Sequence, residues 1–369
     1  MKPTSILGRY LTRQIVFNFL AVLLCVLSVI FLFEMVERLR RIAGHPEFGI
    51  FFALQLAFTR LPKIVEQVFP FVMMIAAMIT FWRLSKTNEF VVMRAAGVSI
   101  WGFLAPVCLA TVMIGVINIT MVNPIAARLY NLYQRLEMRF DEKDPSALLF
   151  SDQGLWLREA IGNDNVMILQ AKAIQRDEDN KVMLRRVTII ETDKKSQPLR
   201  RIEAFAAILE DGYFDLKDVK VLVSGQPMKI YGHLKYKTIL DSHKIEENFV
   251  EPEAISFWKL PQIIRFYYKS GFSVQRHQMR LWSLVISPLF LVTMVLLAAV
   301  FALRPNNRRG GVMYLIVSGI IAGFSAYFLT QVVYAMGVSG ALPIFLAVVA
   351  PTIIAGAIGV SLLLHLEDG

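Results

Sequence analysis

The sequence predicts a membrane α-helical bundle of six transmembrane helices, with an all-β domain inserted between helices 3 and 4. Two observations predict this fold. Six apolar runs approach or exceed the ~20 residues that cross the hydrocarbon core of a bilayer. Between the third and fourth runs, charges are frequent and the apolar runs are short. We therefore divide the chain into residues 1–139 with helices 1–3, a β domain at 140–275, and residues 276–369 with helices 4–6.

The composition also indicates a membrane protein. The chain is 56% hydrophobic, and its mean hydropathy is +0.52. Its net charge of +10 fits contact with anionic lipid or phosphate groups. No nucleic-acid-binding motif accompanies this charge, so we expect no nucleic acid partner.

The first helix predicts the orientation of the chain. Its apolar run, residues 15–35, follows a short basic segment, is longer than the core of a signal peptide and lacks a small-residue cleavage site. We expect a retained helix whose N-terminus is cytoplasmic. The basic loop at residues 83–99 and the loop that carries Arg304, Arg308 and Arg309 then lie inside, as the positive-inside rule requires. Both termini are cytoplasmic in this topology, and the β domain is periplasmic.

This orientation places a basic group near the outer surface, where the positive-inside rule disfavours it. The group consists of Arg38, Arg40 and Arg41 after helix 1, with Arg60 and Lys63 before helix 2. One explanation is that these side chains snorkel to lipid headgroups. The other is a ring of cations at the mouth of a cavity that holds a phosphorylated ligand.

Helices 2 and 3 are expected to begin near Pro62 and end near Asn123, respectively. Beyond that end the chain continues as a basic, aromatic helix that carries Arg128, Tyr130, Tyr133 and Arg135. We expect a solvated face there, with substrate contact as the second interpretation.

The β domain is predicted from alternating or short apolar runs separated by turn-like clusters. The runs are residues 154–158, 166–174, 182–191, 200–209, 213–223 and 233–240. Short strands without intervening helices indicate a β-sandwich or a jelly roll.

The loop at residues 83–99 predicts a short helix. Asn88 or the preceding threonine can cap it, Glu89 lies in its first turn, and Gly97 can end it. Phe90, Met93 and Gly97 fall on one helical face. On local grounds a solvated turn is the favoured interpretation. The alternative is a docking helix that offers an apolar face and one carboxylate to a cytoplasmic partner.

A family resemblance favours the docking helix. Glu89, Met93, Ala95 and Gly97 form the pattern Glu-x-x-x-Met-x-Ala-x-Gly, which resembles the coupling-helix motif of the lipopolysaccharide-export permeases LptF and LptG. In that family the helix, about residues 85–97 here, sits in a groove of the ATPase LptB. The resemblance covers essentially the whole chain, and at residues 153–157 and 255–282 it is closer to the LptG members.

The resemblance also implies site residues. Basic residues at the outer end of the first helix contact the phosphates of lipid A in that family, and Arg40 and Arg41 match the basic pair. Glu34 stands where the family pattern can carry a lysine, and Arg38 can supply that charge. The candidate phosphate-binding residues are therefore Arg38, Arg40, Arg41, Arg128 and Arg135. The candidate ATPase-coupling residues are Glu89, Phe90, Met93 and Gly97.

The partners implied by the resemblance are an LptF-like permease as heterodimer partner, an LptB-like ATPase dimer and an LptC-like periplasmic jelly-roll protein. The outer domain would itself be a jelly roll that joins the one in LptC. The location would be the inner membrane of a Gram-negative bacterium, and the substrate would be lipopolysaccharide. ATP and magnesium would bind the ATPase, so we expect no cofactor and no metal in this chain.

Catalytic motifs are absent from the sequence. It contains no P-loop, no His-Glu-x-x-His and no Gly-x-Ser-x-Gly, which favours a non-catalytic subunit. Three hypotheses follow: an ATP-driven lipid-export permease, a membrane enzyme acting on lipid or glycan, or a membrane scaffold that recruits periplasmic envelope-assembly partners. We favour the permease because it accounts together for the coupling motif, the outer arginines, the strand-rich domain and the missing P-loop.

Overall fold

The computed structural model describes residues 3–42, 49–140, 146–151, 154–161, 165–176, 181–193, 198–210, 212–223, 227–238, 251–269, 273–302 and 311–368. Residue 153 and the loop with Arg304, Arg308 and Arg309 lie outside these ranges. The described residues form two compact units. The helical unit holds residues 1–134, 256–260 and 275–369, and the β unit holds residues 135–255 and 261–274.

Long apolar helices dominate the helical unit. The helices of the chain are α1 (Pro3–Ile42), α2 (Ile50–Lys86), α3 (Glu89–Ala95), α4 (Ile100–Ile117), α5 (Asn123–Phe140), α6 (Leu260–Lys269), α7 (Gln275–Ala302), α8 (Gly311–Val338) and α9 (Ile344–Asp368). Six helical segments of the described chain are long and apolar enough to cross a membrane, which confirms the predicted number. The segment formed by α4 and α5 counts as one of the six.

The predicted start of the second helix was wrong. The structure begins α2 at Ile50, and Pro62 and Pro70 both lie inside the helix. Residues 50–61 are mostly good helix formers, and they continue the helix past Pro62. A proline inside a membrane helix is tolerated where neighbouring helices satisfy the backbone group that it frees.

The core of the helical unit forms around α2 and α7. Phe81, Met73 and Met294 are fully buried there, together with side chains of α1 and α4. By contrast, most side chains of α1 and α8 are not buried in this chain. α8 approaches α2 closely because it carries Gly319 and Gly323, where a Cβ atom would overlap methionine side chains of α2.

One turn of π-helix, Asn118–Val122, joins α4 to α5 without breaking the rod. Turns of this kind are rare and occur frequently at functional sites. The helix that the sequence predicted beyond Asn123 is therefore α5, which continues the third membrane segment.

The β unit is built on one antiparallel sheet. Its strands are β1 (Ser146–Ser151), β2 (Gly154–Ile161), β3 (Asn165–Arg176), β4 (Val182–Asp193), β5 (Pro198–Glu210), β6 (Tyr213–Val223) and β7 (Lys229–Lys237). Each strand pairs with the next in the chain, from β1 to β7. The predicted all-β domain is confirmed. Its described strands follow one another as hairpins in a sheet that is not a closed barrel, without the long crossovers of a Greek key.

Hydrogen bonds between distant strands show that this sheet folds over on itself. Tyr236 on β7 donates a hydrogen bond of 2.6 Å to Glu191 on β4, although in a flat sheet these strands lie about 14 Å apart. Thr238, just after β7, donates another of 2.6 Å to Glu159 on β2. The sheet is therefore curved so that the edge strand β7 lies close to β4 and β2 on its inner face.

The inner face is apolar apart from these bonds. Leu169, Ile189 and Phe214 are fully buried in one cluster that also includes Tyr267 of α6. Burial of Tyr267 raises the pKa of its phenol to about 12. The sequence patterns described above predict neither α6 nor β1. The apolar spacing of Leu260, Ile263 and Tyr267, at i, i+3 and i+7, is the signal that could have predicted α6.

Two side chains, Arg200 and Tyr236, donate hydrogen bonds to the buried carboxylate of Glu191. Arg200 donates two hydrogen bonds, of 2.5 and 2.6 Å, to the carboxylate of Glu191, and Tyr236 donates the third. This carboxylate raises the pKa of the Arg200 guanidinium. Burial, followed by the hydrogen bond to Glu191, raises the pKa of the Tyr236 phenol.

We predict that Tyr236→Phe loosens the β7 edge. The variant removes one of three donors to a buried carboxylate, and a loss of this kind costs about 1–2 kcal/mol. Amides of β7 should then exchange hydrogen roughly tenfold faster in the full chain, as measured by mass spectrometry. Tyr231→Phe is the matched control because Tyr231 lies on the same strand and is 41% exposed. Equal exchange rates in the two variants would contradict the closing role of Tyr236.

Candidate functional site

Charged side chains of the helical unit lie at two levels, separated by apolar helix. In α1 no charged residue occurs between Arg13 and Glu34, and in α2 none occurs between Glu66 and Arg83. At 1.5 Å per residue, the first stretch spans about 30 Å and the second slightly less, close to the thickness of the hydrocarbon core of a bilayer. One level contains α3. The other, which we call the far level, contains the clusters described next.

The first cluster at the far level surrounds Glu34. Nη1 of Arg60 donates to both carboxylate oxygens of Glu34 at 3.2 Å, so that α2 is tied to α1. Nη2 of Arg38, one turn along α1, lies 3.5 Å from the same carboxylate. Glu34 and Arg38 are largely buried, whereas the Arg60 side chain is 37% exposed. One carboxylate thus serves two guanidinium groups.

Two tyrosines of α5 contact basic side chains of α1 and α2 at this level. The rings of Tyr130 and Tyr133 are stacked, with centroids 5.7 Å apart. Tyr133 accepts a hydrogen bond of 3.0 Å from Arg38, whose guanidinium carbon lies 5.2 Å from the ring centroid. Lys63 donates to the hydroxyl of Tyr130 at 2.6 Å. We call Glu34, Arg38, Arg60, Lys63 and the two tyrosines the cationic pocket.

The other candidate arginines point elsewhere. Arg40 and Arg41 both bond to Glu37, and their side chains are 78% and 50% exposed. Successive residues of a helix are about 100° apart, so Arg40 lies on nearly the opposite face from Arg38, whereas Arg41 lies about 60° from it. Arg128 and Arg135 are exposed on α5.

The second cluster at the far level joins three helical elements. Arg280 of α7 forms a short ion pair with Glu66 of α2, and both side chains are largely buried. Asn123 donates to the other oxygen of Glu66 at 2.7 Å and accepts from the backbone N–H of Phe257 at 2.8 Å. The indole of Trp258 donates to the carbonyl of Thr120 in the π turn at 3.3 Å. Segment 256–260 is therefore fixed to the helical unit next to the π turn.

At the opposite level, α3 packs tightly against its neighbours. The carboxylate of Glu89 accepts hydrogen bonds from Tyr10 of α1 at 3.1 Å and from Thr87 at 2.9 Å. Phe90 is buried, with its ring edge-to-face against Phe103 of α4 at 5.2 Å. Met93 is half-buried against the same core.

The end of α3 requires a glycine. Gly97 has a φ of +78°, and its N–H bonds to the carbonyl of Arg94 while the N–H of Val98 bonds to that of Met93. This pair of bonds is a Schellman motif, which commonly places glycine at this position. A side chain at residue 97 would be strained because L-residues rarely adopt a φ in this range.

A family model decides what kind of protein carries these sites. Residues 9–365 match the model described as "Lipopolysaccharide export system permease LptF/LptG". The chain belongs to the LptF/LptG family. It is 25% identical over 344 residues to the LptG permease protein of Escherichia coli K12, covering 90% of each chain. It is 21% identical over 360 residues to the LptG protein of Haemophilus influenzae, covering 94% of this chain and 95% of the relative.

For an LptF/LptG permease, the structure places the predicted site residues in distinct environments. Of the candidate phosphate-binding residues, only Arg38 lies in the cationic pocket. The phosphate-binding and coupling roles stay predictions. Val91 and Val92 are the large exposed apolar residues of α3, whereas Phe90 and Met93 face the helical core.

The sequence patterns do not identify Arg60, Lys63 and Arg280 of this LptF/LptG permease as site residues. They place Arg60 and Lys63 only in an outer basic group. Glu66 interrupts an apolar run, which signals that it has a partner but does not identify Arg280. An ionisable residue at such a position requires a partner.

Proposed function

We propose that this chain is the LptG-type membrane subunit of an ATP-driven exporter. The exporter extracts lipopolysaccharide from the outer leaflet of the inner membrane and passes it to a periplasmic β-jelly-roll bridge. The subunit is non-catalytic, and a separate LptB-like ATPase dimer binds ATP and magnesium. An LptF-like permease completes the membrane part, and an LptC-like protein receives the lipid. The observation that carries this proposal is the cationic pocket, which lies about one hydrocarbon thickness from α3.

The depth of the pocket matches a lipid headgroup. With α3 on the cytoplasmic side, the cationic pocket lies at the outer interface, where the phosphates of an outer-leaflet lipid are found. Arg38, Arg60 and Lys63 bring three cations together around Glu34, whose carboxylate pairs with both guanidinium groups. Guanidinium groups bind phosphate in a bidentate manner. Arg40 and Arg41 add two exposed cations on the same helix.

The contacts of α3 support its role as the coupling helix. Its carboxylate is bonded to α1 through Tyr10, and its aromatic side chain packs on α4 through Phe103. A displacement of α3 by the ATPase is therefore passed to two membrane helices. One of these, α1, carries Glu34 and Arg38 at its other end. The exposed pair Val91 and Val92 provides the apolar surface for the ATPase groove.

The β unit supports passage of acyl chains because its inner face is apolar. Buried side chains of that face fill the fold, and two hydrogen bonds to buried carboxylates close it. In this proposal the apolar face receives the acyl chains of the lipid.

The test of this proposal is the triple variant Arg38→Ala, Arg40→Ala, Arg41→Ala. We expect lipopolysaccharide-stimulated ATP hydrolysis by the purified complex to fall while the complex still assembles. Each desolvated charge-assisted contact contributes about 1.5–3 kcal/mol, so the half-saturating lipid concentration should rise at least about tenfold. The double variant at Arg40 and Arg41 removes only exposed charges, and so it separates lipid binding from packing.

The control removes the same kind of charge from the other end of the same helix. Arg9→Ala with Arg13→Ala should leave the half-saturating lipid concentration unchanged, because both residues lie at the α3 level. Unchanged stimulation in the triple variant would assign the far-level arginines to snorkelling. Failure of any ATPase to co-purify with the wild-type chain would instead favour a scaffold without transport.

A further inference from the structure

Glu34 is a carboxylate placed where a phosphate is expected to bind. Its two oxygens accept from Arg60 at 3.2 Å, and one of them lies 3.5 Å from Arg38. The side chain is 14% exposed. The carboxylate thus already occupies the position between the two guanidinium groups that an incoming anion would take.

The cations of the pocket are held in place independently of Glu34. Arg38 donates to the hydroxyl of Tyr133, and the guanidinium groups of Arg38 and Arg60 lie 5.2 and 5.8 Å from the Tyr133 ring centroid. Lys63 is bonded to Tyr130. The aromatic contacts position the cations whether Glu34 or another anion sits between them.

Glu37, one turn away, shows what an ordinary surface pair on this helix looks like. It bonds to Arg40 and Arg41, and all three side chains are at least one-third exposed. Exposed pairs of this kind are screened by water and contribute little. The Glu34 pairs are more buried than these pairs, so water and salt screen them less.

We propose that Glu34 is an internal counter-ion that occupies the arginine site of the empty permease and gives way to a phosphomonoester of the lipid substrate. This inference rests on the proposed function of the pocket. It assigns Arg60 of α2, together with Arg38 of α1, to phosphate binding. It also makes Glu34 a specificity-determining residue.

The charges explain the specificity. A phosphomonoester carries about −1.5 to −2 at pH 7 and offers three acceptor oxygens. A phosphodiester, as in an ordinary anionic phospholipid, carries a single negative charge, like the carboxylate that it would have to displace. Replacing the Glu34 carboxylate between the guanidinium groups therefore increases the negative charge there only when the incoming anion is a monoester. The internal counter-ion lowers the affinity for every anion, because only the fraction of molecules with a vacated site is competent to bind. A phosphodiester cannot recover this loss.

The experiment compares Glu34→Gln with wild type in the assembled complex, reconstituted in nanodiscs of neutral phospholipid. Glutamine keeps the shape and one acceptor oxygen but removes the charge. Diphosphoryl lipid A is titrated, and the half-saturating concentration for stimulation of ATP hydrolysis is measured. We expect this concentration to fall roughly three- to tenfold in Glu34→Gln. Lipid A from which the phosphates have been removed should show no shift.

A second arm measures discrimination. Phosphatidylglycerol is added to the nanodiscs as a phosphodiester competitor. We expect little inhibition of wild type and clear inhibition of Glu34→Gln, because the variant no longer requires an anion to displace a carboxylate. Glu203→Gln is the matched control, since Glu203 pairs with Arg201 on an exposed part of the β unit. It should match wild type in both arms.

The outcomes separate this inference from the proposed function. Phosphate-dependent stimulation in wild type, with equal or weaker binding in Glu34→Gln and in a second variant, Glu34→Ala, would overturn the counter-ion role alone. No dependence on phosphate in wild type or in either variant would overturn both proposals. Phosphate dependence that appears only after Glu34 is replaced would overturn the exchange, because the proposal requires Glu34 to give way to the monoester in wild type. Size-exclusion profiles of the complexes establish that the variants assemble.

Discussion

Arg280→Met is expected to destabilise the helical unit by about 3–5 kcal/mol, because it leaves a buried carboxylate without its cation. The Glu66 side chain is only 10% exposed, and among the residues that the structure describes Asn123 would remain to donate to it. The consequence should extend beyond the pair, since Asn123 also binds the backbone of Phe257. Thermal unfolding of the detergent-purified chain, followed by tryptophan fluorescence, measures the loss.

The double variant Glu66→Leu with Arg280→Met provides the control. Replacing both members of a buried ion pair by apolar residues is often neutral, whereas removing one member is not. We therefore expect the double variant to recover most of the stability lost in Arg280→Met. Similar losses in the single and double variants would show that the pair acts through packing and not through charge.

Glu89→Lys is expected to abolish complementation of a strain depleted of its native permease, while the chain still inserts in the membrane. Lysine cannot accept the hydrogen bonds from Tyr10 and Thr87 that fix the carboxylate. If Glu89 also pairs with a cation in the ATPase groove, loss of that pair costs roughly 2–5 kcal/mol, and lysine adds repulsion. Growth is scored together with co-purification of the ATPase.

Two milder variants separate these causes. Glu89→Gln removes the charge and keeps one acceptor oxygen, so it retains one of the two hydrogen bonds from Tyr10 and Thr87, which different carboxylate oxygens accept. Tyr10→Phe removes one internal hydrogen bond but keeps the charge. Coupling through charge predicts a large defect in Glu89→Gln and a small one in Tyr10→Phe. The reverse order would assign Glu89 to the packing of α3 against α1. Normal growth and ATPase retention in Glu89→Lys would remove the coupling role altogether.

The sequence predicts the elements of this fold well because the signals are local. The length of an apolar run predicts a membrane helix, and six such segments are present in the described chain. Alternation predicts strands, and β2 to β7 all overlap predicted runs. The glycine that ends α3 also follows from local geometry, since a φ of +78° favours this residue.

Pairings between distant residues could not be predicted in the same way. Glu66 and Arg280 are separated by more than 200 positions, and nothing in either segment selects the other. Phe90, Val91, Val92 and Met93 are four successive apolar residues, so periodicity cannot tell which of them face the core. Tyr10 and Phe103 decide this by their packing against α3.

The π turn at Asn118–Val122 determines the directions in which the side chains of α5 point around the helix axis, relative to those of α4. A turn that holds one additional residue shifts the later side chains by about 100° around the axis, relative to an uninterrupted α-helix. Before the turn, Gly115 lies directly against Pro288 of α7. After it, Tyr130 and Tyr133 face Lys63 and Arg38. The chain can therefore dock one stretch of helix on α7 and aim the next at the cations of α1 and α2, while the helical backbone stays continuous.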